Sequence, residues 1–545
     1  MALNFADLFE HAADAFGERT AVACGDRQVT YAELDTRTSR LAHHLAGLGV
    51  GPGDHVGLYA RNSIEALETL IASCKLRASA VNINYRYVEN ELHYMLADAD
   101  LTALVYDRRL APLVAAEAHA APGLRGLIEI DDGSEAIPKT IATDYDTALK
   151  TASPDRDFPP RSNDDVYIIY TGGTTGYPKG VMWRHEDIWR TLGGGIDFIT
   201  AEPLPDEWAQ SRKGLENGEF VKLCAAPLIH GNAQVAALAG LFGGETIVLL
   251  PAFDAREIWL AVEKYQVNVL VIIGDAMARP LVEAYAQGDY DASSLVAVSS
   301  SAALFSPAVK DACAQALPDA VITEAIGSTE TGFAGISFVS PGEPHRGGPT
   351  VMAGPDVIVL GDDGRPAAPG QVGRLARGGH VPLGYYKDPA RTAAMFAEVD
   401  GRRYAIPGDM ARVEDDGTVT LLGRGNTCVN TGGEKVFPEE VEGVLKSHPG
   451  VFDALVIGVP DARLGQRVAA LIQPRPGAAL DLGALQEHVR RQIAGYKVPR
   501  SIWLAETIRR TVSGKADYSW AREYAATHAP GLDRVSGAHS SDTQR

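Results

Sequence analysis

The chain has 545 residues, 46% of them hydrophobic, and a formal net charge of −20. That length suggests several domains or one large multi-part body. The acidic balance excludes generic nucleic-acid binding, since no basic excess exists to neutralise phosphates, yet it is compatible with a nucleotide held by a few local cations. The five cysteines (Cys24, Cys74, Cys224, Cys313 and Cys428) are far apart and none pairs at metal-ligand spacing, which reads as free thiols in a reducing cytosol. The first residues, MALNFADLFEHAADAF, carry early acids and no basic stretch, unlike a signal peptide. No apolar run reaches the ~18 residues that span a bilayer, so a cytoplasmic location is expected.

Residues 1–160 read as an α/β mixture. Thr30-Tyr31-Ala32-Glu33-Leu34 opens a helix that runs on through SRLAHHLAGLGV. His43 and His44 in it are read as a solvated edge, with no third metal ligand nearby. A turn at Gly51–Asp54 precedes a strand at His55–Tyr59. A helix over 63–79, with Ser63 as N-cap, is followed by a strand at 80–83. This alternation predicts stacked βα units. Residues 144–165 are polar and contain prolines, and are read as a linker.

The next stretch is YIIYTGGTTGYPKG, residues 167–180. Tyr167–Tyr170 is a short run of strand type. Thr171, Gly172, Gly173, Thr174, Thr175 and Gly176 then crowd glycines and hydroxyls together, and Pro178 and Lys179 follow. Glycines let backbone N–H groups approach a ligand, hydroxyls add donors, and Lys179 adds a mobile cation. Such a loop suits a phosphate chain. The P-loop of kinases and GTPases is excluded, because Gly180 stands where that motif needs a Ser or Thr after its lysine.

Beyond the loop, Arg184–Ile188 begins a helix, Gly193-Gly194-Gly195 follows, and residues 201–222 read as a charged surface insertion. The segments 267–273, 295–299 and 320–326 read as successive strands, each ending in small or polar residues. In a parallel sheet ligands gather outside those carboxyl ends. Ser300–Leu304, Ile326–Glu330 and the 171–176 loop therefore converge on one expected nucleotide site. Residues 357–425 are glycine-rich with short strands, and a domain hinge is placed near 423–426. Helices starting at 436 and 482 and strands at 451–459 and 501–504 make a compact α+β unit. The tail from Ala526 is polar and expected to be disordered.

These motifs, in this order, resemble the ANL superfamily of acyl-adenylating enzymes, whose phosphate loop reads Y-T-S-G-T-T-G-x-P-K-G; Gly172 stands in place of the serine. The resemblance implies an α/β fold with a large N-terminal body of stacked βα subdomains plus a β-rich subdomain (1–425), a small mobile C-terminal α+β domain (426–525) and a tail (526–545). It implies ATP, Mg²⁺ and CoA as reactants. Thr171–Gly176, Lys179, Ser301 and Ala302 would line the nucleotide site, with Thr174 counted as catalytic. In Ile326-Gly327-Ser328-Thr329-Glu330, Ile326 would lie against adenine, Thr329 would touch phosphate and Glu330 would hold Mg²⁺. Asp409, in a segment ending Pro407-Gly408-Asp409, would accept from both ribose hydroxyls, with Arg424 nearby. Asn426 would be the hinge, and Gly432, Gly433 and Glu434 the loop used with CoA. Lys515, in Ser513-Gly514-Lys515, would be the catalytic lysine. His230, in Pro227-Leu228-Ile229-His230-Gly231, would wall the acyl pocket, with Gly193, Gly194 and Gly195 leaving room for rigid rings.

GYPKGVMWRHEDIW, the 201–222 insertion, GDAMARPL and GGEKVFPEEVE are most similar to the steroid side-chain CoA ligases of cholesterol-degrading actinobacteria. They imply a cholestenoate-type acid as substrate, with Leu204, Trp208 and Phe220 extending the tunnel wall. The alternatives are a medium- or long-chain fatty-acyl-CoA synthetase, an adenylating module that loads a carrier protein, and a binder that has lost activity. The sequence leaves the oligomeric state open, a homodimer among the options.

Overall fold

The structure, a computed structural model, describes residues 3–135, 141–171, 177–197, 202–303, 305–339, 348–354, 356–425, 427–431, 434–461, 463–510 and 515–533, with Arg424 and Lys435 described by their backbone alone. The first helices start where short polar side chains can hold their open N–H groups. Asn4 accepts from Ala6 N–H at the head of Phe5–Phe16. Thr30 and Glu33 form a reciprocal capping box on Tyr31–Gly47, and Ser63 caps Ile64–Lys75. These helices pack around a buried cation. Lys75, fully buried, lies 2.5 Å from Glu10 and 2.8 Å from Asp35. Arg161 reaches Asp7 and Glu10 from the far side. Burial would raise the Glu10 carboxyl, but Arg161 and Lys75 outweigh it and hold it down at about 2.

Two parallel sheets form the body. One has the order Ser79–Asn82, His55–Tyr59, Leu101–Asp107, Gly126–Ile130, Thr143–Asp144. The other runs Thr20–Cys24, Thr246–Leu249, Val221–Cys224, Val269–Ile272, Ala297–Ser301, Val321–Ser328. The expected strands before Ser300 and Ile326 are thus present and adjacent. The second sheet then turns antiparallel at Gly332–Phe338 and continues into the β-rich region, where Asp409–Val413 pairs with Val419–Arg424. Between the two parallel sheets lies a small sheet of Val166–Thr171, Lys179–Arg184 and Gly384–Tyr385, so the strands flanking the glycine loop are a hairpin.

The C-terminal unit is built on the long hairpin Val451–Asp461 with Gly465–Pro474, and Ser501–Leu504 adds in parallel. Pro438–Lys446 and Leu482–Arg490 cover it. Three expectations need correction. The 144–165 linker contains a helix, Tyr145–Thr151, capped by Asp144, and its Arg156 and Arg161 are bound by acids of the first two helices. Residues 526–533 belong to the fold, since a helix runs over Tyr518–Thr527 and Leu532–Asp533 pairs with the strand at Ser501. The 201–222 insertion is no loose surface segment. Its helix, Ala209–Asn217, buries Ser211 and Gly214, and a Cβ on Gly214 would stand 1.9 Å from Gly243 O.

His185 heads the helix His185–Thr191 and is fully buried against Phe5 and Tyr167, with Phe5 N–H donating to its Nδ1 at 3.0 Å. It is a core histidine. Burial pushes it down to about 4 from an ordinary 6.5. The unfolded chain therefore takes up this proton first, and the stability His185 supports is complete above 6.5 and lost as pH falls toward 4. Between pH 7 and pH 5 the loss should be about 2 kcal/mol. Chemical denaturation at the two pH values should show a smaller loss in His185→Gln; an equal loss would refute the assignment.

Candidate active site

A cavity of about 710 Å³ opens where the carboxyl ends of the parallel strands meet the small sheet and the C-terminal unit. Thr171, Ser301, Ala302, Ile326, Gly327, Ser328, Thr329, His230 and Lys515 all line it. These residues come from five separate segments of the sequence, and the structure brings them together. Lys515 comes from the C-terminal unit and Thr427 from beside the expected hinge. Residues 172–176, Asn426, Gly432 and Gly433 lie outside the described residues.

The walls are held by groups the motifs did not reveal. Asn82, at the end of its strand and buried, donates through Nδ2 to Tyr170 O at 2.8 Å and Ile229 O at 2.6 Å. Its Oδ1 accepts Tyr170 N–H at 2.8 Å. One amide thus joins the strand entering the glycine loop to the segment carrying His230. Asn62 repeats the device, accepting Leu228 N–H at 2.7 Å and donating to Ala226 O at 3.2 Å. Gln234 completes it, donating to Leu228 O at 2.7 Å and accepting from Tyr167 Oη at 2.8 Å. Asn84, Tyr87 and Glu91 also reach the cavity and were missed. Asn at a strand end is a common turn residue, so nothing in its own stretch marks Asn82 as a clamp.

Backbone shape does the rest on the opposite wall. Ala302 adopts φ +67°, a left-handed conformation that costs an alanine roughly 1 kcal/mol and concentrates at functional sites. Ser300 Oγ accepts Gly274 N–H at 3.0 Å and fixes the preceding strand end. At Gly327 the hairpin closes so tightly that a Cβ would stand 2.2 Å from Gly332 O. Trp183 Nε1 donates to Thr329 O at 2.9 Å from within the core.

Other expected residues lie outside the cavity lining. Glu330 is buried, with Tyr385 Oη donating to its Oε1 at 3.0 Å. Asp409 is half-buried and stands opposite Arg424 in the antiparallel ladder. Lys179 Nζ donates to Tyr94 Oη at 2.9 Å, and that bond raises its pKa. Tyr94 in turn stacks on Tyr177, which does line the cavity. Glu434 is exposed on Glu434–Val436. Gly193–Gly195 make no room for a ligand. Cβ atoms there would meet Trp189 at 2.9 Å, Gln210 at 2.3 Å and the Trp189 ring at 2.5 Å. The glycines fit under a buried indole, and Leu192 is the residue of that stretch that reaches the cavity. Leu204, Trp208 and Phe220 do not line it; Trp208 packs on His11.

Among the described residues, His93, Glu117 and His119 are the one trio of His, Cys, Asp or Glu whose ligand atoms lie within 4.8 Å of one another, on a surface apart from the cavity. Glu330 is in no such cluster. It offers one buried carboxylate, held by the Tyr385 hydroxyl, a hard oxygen donor that suits Mg²⁺ when phosphates and water supply further ligands.

The match to known proteins now has a structure to rest on. The AMP-binding enzyme family matches residues 9–386, and the AMP-binding enzyme C-terminal domain matches 440–515. The chain belongs to the AMP-binding (ANL) family. It is 52% identical over 532 residues to a 3-oxocholest-4-en-26-oate–CoA ligase of Rhodococcus rhodochrous, covering 96% of each chain. It is 50% identical over 543 residues to the medium/long-chain-fatty-acid–CoA/3-oxocholest-4-en-26-oate–CoA ligase of Mycobacterium tuberculosis, covering 99% of each. ATP-bound MatB of Rhodopseudomonas palustris superposes with a TM-score of 0.80 at 26% identity, covering 96% of this chain and 99% of that one. An anthranilate CoA ligase bound to anthranoyl-AMP shares the fold at 23% identity, with a TM-score of 0.82 over 96% of this chain and 97% of that one. Among the described residues no helix is long and apolar enough to cross a membrane.

Asn82→Ala tests the clamp. It removes an amide that satisfies three buried backbone groups, and each unsatisfied group costs roughly 1–3 kcal/mol. Urea unfolding should show a loss of roughly 3 kcal/mol, and acyl-AMP formation should slow. Wild-type stability in the variant would show that the three contacts contribute nothing.

Proposed function

We infer that this AMP-forming acyl-CoA ligase activates a bulky, mostly apolar carboxylate of steroid side-chain type, with medium- and long-chain fatty acids as a second substrate class. The observation that carries the reading is the near-complete, half-identical match to one ligase named for the steroid acid and another named for that acid and medium/long-chain fatty acids. The cavity supports it. Ile169, Leu192, Ile229, Ile273 and Phe333 give it an apolar part, while Thr171, Ser301, Ser328, Thr329 and Lys515 give it a polar part. Its volume falls in the range of roughly 300–1,000 Å³ that takes sizeable organic ligands.

The residue roles follow from charge. A carboxylate oxygen attacks the α-phosphorus of ATP and pyrophosphate leaves. Lys515 lines the cavity with Thr171 and Thr329, and its compact ammonium suits the charge developing on the phosphorus centre and the incoming carboxylate. Residues 172–176 would cradle the phosphates. Asp409 and Arg424 would serve the ribose, and Ile326 would face adenine. Glu330 would hold Mg²⁺, which when bound offsets phosphate charge. In the second half-reaction the CoA sulfur attacks the acyl carbon and AMP leaves. We assign residues 1–425 and 426–525 as the two moving parts, with Asn426 as hinge, Lys515 withdrawn and Gly432–Glu434 brought in. One small domain serving two half-reactions requires such a motion.

Two measurements test this. Lys515→Ala should slow acyl-AMP formation by ~10²–10³, the usual loss of one preorganised charge donor, and keep thioester formation from supplied acyl-AMP; a normal rate of acyl-AMP formation would refute its role. Across a panel of acids from acetate upward, kcat/KM should be higher for a cholestenoate-type acid than for octanoate, because buried apolar area contributes ~25 cal/mol per Å². A higher value for octanoate would overturn the steroid preference and leave the CoA-ligase activity standing.

A further inference from the structure

The helix Gly274–Gln287 follows the strand Val269–Ile272 and turns one face toward the C-terminal unit. Asp275, Arg279 and Glu283 recur every four residues on it, so they share that face. Each meets a different C-terminal side chain. Asp275 Oδ2 lies 3.6 Å from Lys446 Nζ. The Arg279 guanidinium sits 5.6 Å from the centre of the Phe452 ring. Glu283 Oε1 lies 3.2 Å from Arg475 Nη1. The first pair is sealed from water, with the Lys446 side chain 1% exposed and that of Asp275 8%, whereas the third is open, at 40% and 42%.

The contacts continue toward Lys515. Lys446 Nζ also lies 3.3 Å from Asp453 Oδ1. Arg510 grips the same carboxylate with two bonds, at 2.7 and 2.6 Å. Burial would raise the Asp453 carboxyl, but Lys446 and Arg510 hold it well below the usual carboxylate range. Arg510 is bridged to Ala516 in antiparallel fashion, so Lys515 adjoins a backbone position paired with the anchored arginine. Alternating charges thus run Asp275, Lys446, Asp453, Arg510 from the N-terminal body to the backbone bridge beside Lys515.

We propose that the Asp275–Arg279–Glu283 face is a latch that holds the C-terminal unit in the orientation that delivers Lys515 to the cavity, making these three residues positioning residues for adenylation. The chemistry suits a contact that must open once per turnover. Ion pairs across an interface contribute little net stability because desolvation offsets their attraction, yet they demand one geometry. An apolar interface of the same size would hold more tightly and discriminate less between orientations. The proposal rests on the role assigned to Lys515.

The test uses the full-length enzyme and the acid that the panel selects, and measures the two half-reactions separately: acyl-AMP formation from acid and ATP–Mg²⁺, and thioester formation from supplied acyl-AMP and CoA. Glu283→Arg and Arg475→Glu each leave a repelling pair at a solvent-exposed site where the fold tolerates change. Each should lower the ratio of the first rate to the second by roughly two- to fivefold, the scale of an exposed ion pair, and the double swap should restore it. Asp275→Asn should lower the ratio further, by roughly tenfold, because it removes the interdomain partner of a buried cation. An unchanged ratio in all variants, an equal fall in both rates, or a double swap that restores nothing would overturn the latch. If Lys515→Ala slows acyl-AMP formation while these variants keep the wild-type ratio, the latch fails and the role of Lys515 stands. If Lys515→Ala leaves acyl-AMP formation at the normal rate, that role fails and the latch has nothing to position.

Discussion

The site depends on how one buried amide is satisfied. Asn82 has two donors and one acceptor committed to the backbones of Tyr170 and Ile229. Those backbones belong to different parts of the body, and each would otherwise leave polar groups unpaired beside an apolar cavity, where they are expensive. The strand of Asn82 lies in one parallel sheet, Tyr170 in the small central sheet, and Ile229 in the segment after the other parallel sheet's strand Val221–Cys224. A single side chain therefore registers three layers against each other. Asn62 and Gln234 repeat the arrangement a few residues away, so the floor of the cavity is set by amides that have no other geometry to choose.

From that floor the chemistry is arranged by rigid elements. Ser301, Ala302, Ile326 and Gly327 sit at the ends of adjacent parallel strands, the position where open α/β sheets present ligand sites. The left-handed backbone at Ala302 and the pinched hairpin at Gly327 shape one wall with main-chain atoms. Lys515 arrives from the far side, next to Ala516, whose backbone is bridged to the Arg510 that Asp453 holds. The N-terminal body supplies most of the cavity wall and the C-terminal unit adds a cationic side chain to it.

Much of this was legible because the relevant information is local. The strand ends at Ser300 and Ile326 announce themselves within a few residues, and so do the motifs that carry Thr171 and Lys515 to the cavity. What stayed hidden was through-space complementarity. Asn82 finds its partners 88 and 147 residues away. Gly193–Gly195 suggested open space because glycine lacks a side chain, whereas the space is filled by the Trp189 indole and Gln210. The same blindness applies to 201–222, whose charged composition suggested a loose surface while Gly214 allows its helix to press onto the end of another. The helix after Asp144 was masked by the flanking polar and proline residues, and the strand at Leu532 is too short to read without its partner at Ser501.

The close approach at Gly327 bears on how such an enzyme can diverge. No residue with a side chain fits there without pushing back Gly332, so a lineage cannot explore that wall by point mutation. The apolar part of the cavity, by contrast, is made of Leu192, Ile229, Ile273 and Phe333, side chains that exchange for others of similar kind at modest cost. Selection for a new acid is thereby channelled to the apolar side, and the Gly327 wall is inherited almost unaltered. Relatives that differ in the acid they accept are then expected to differ along that side first.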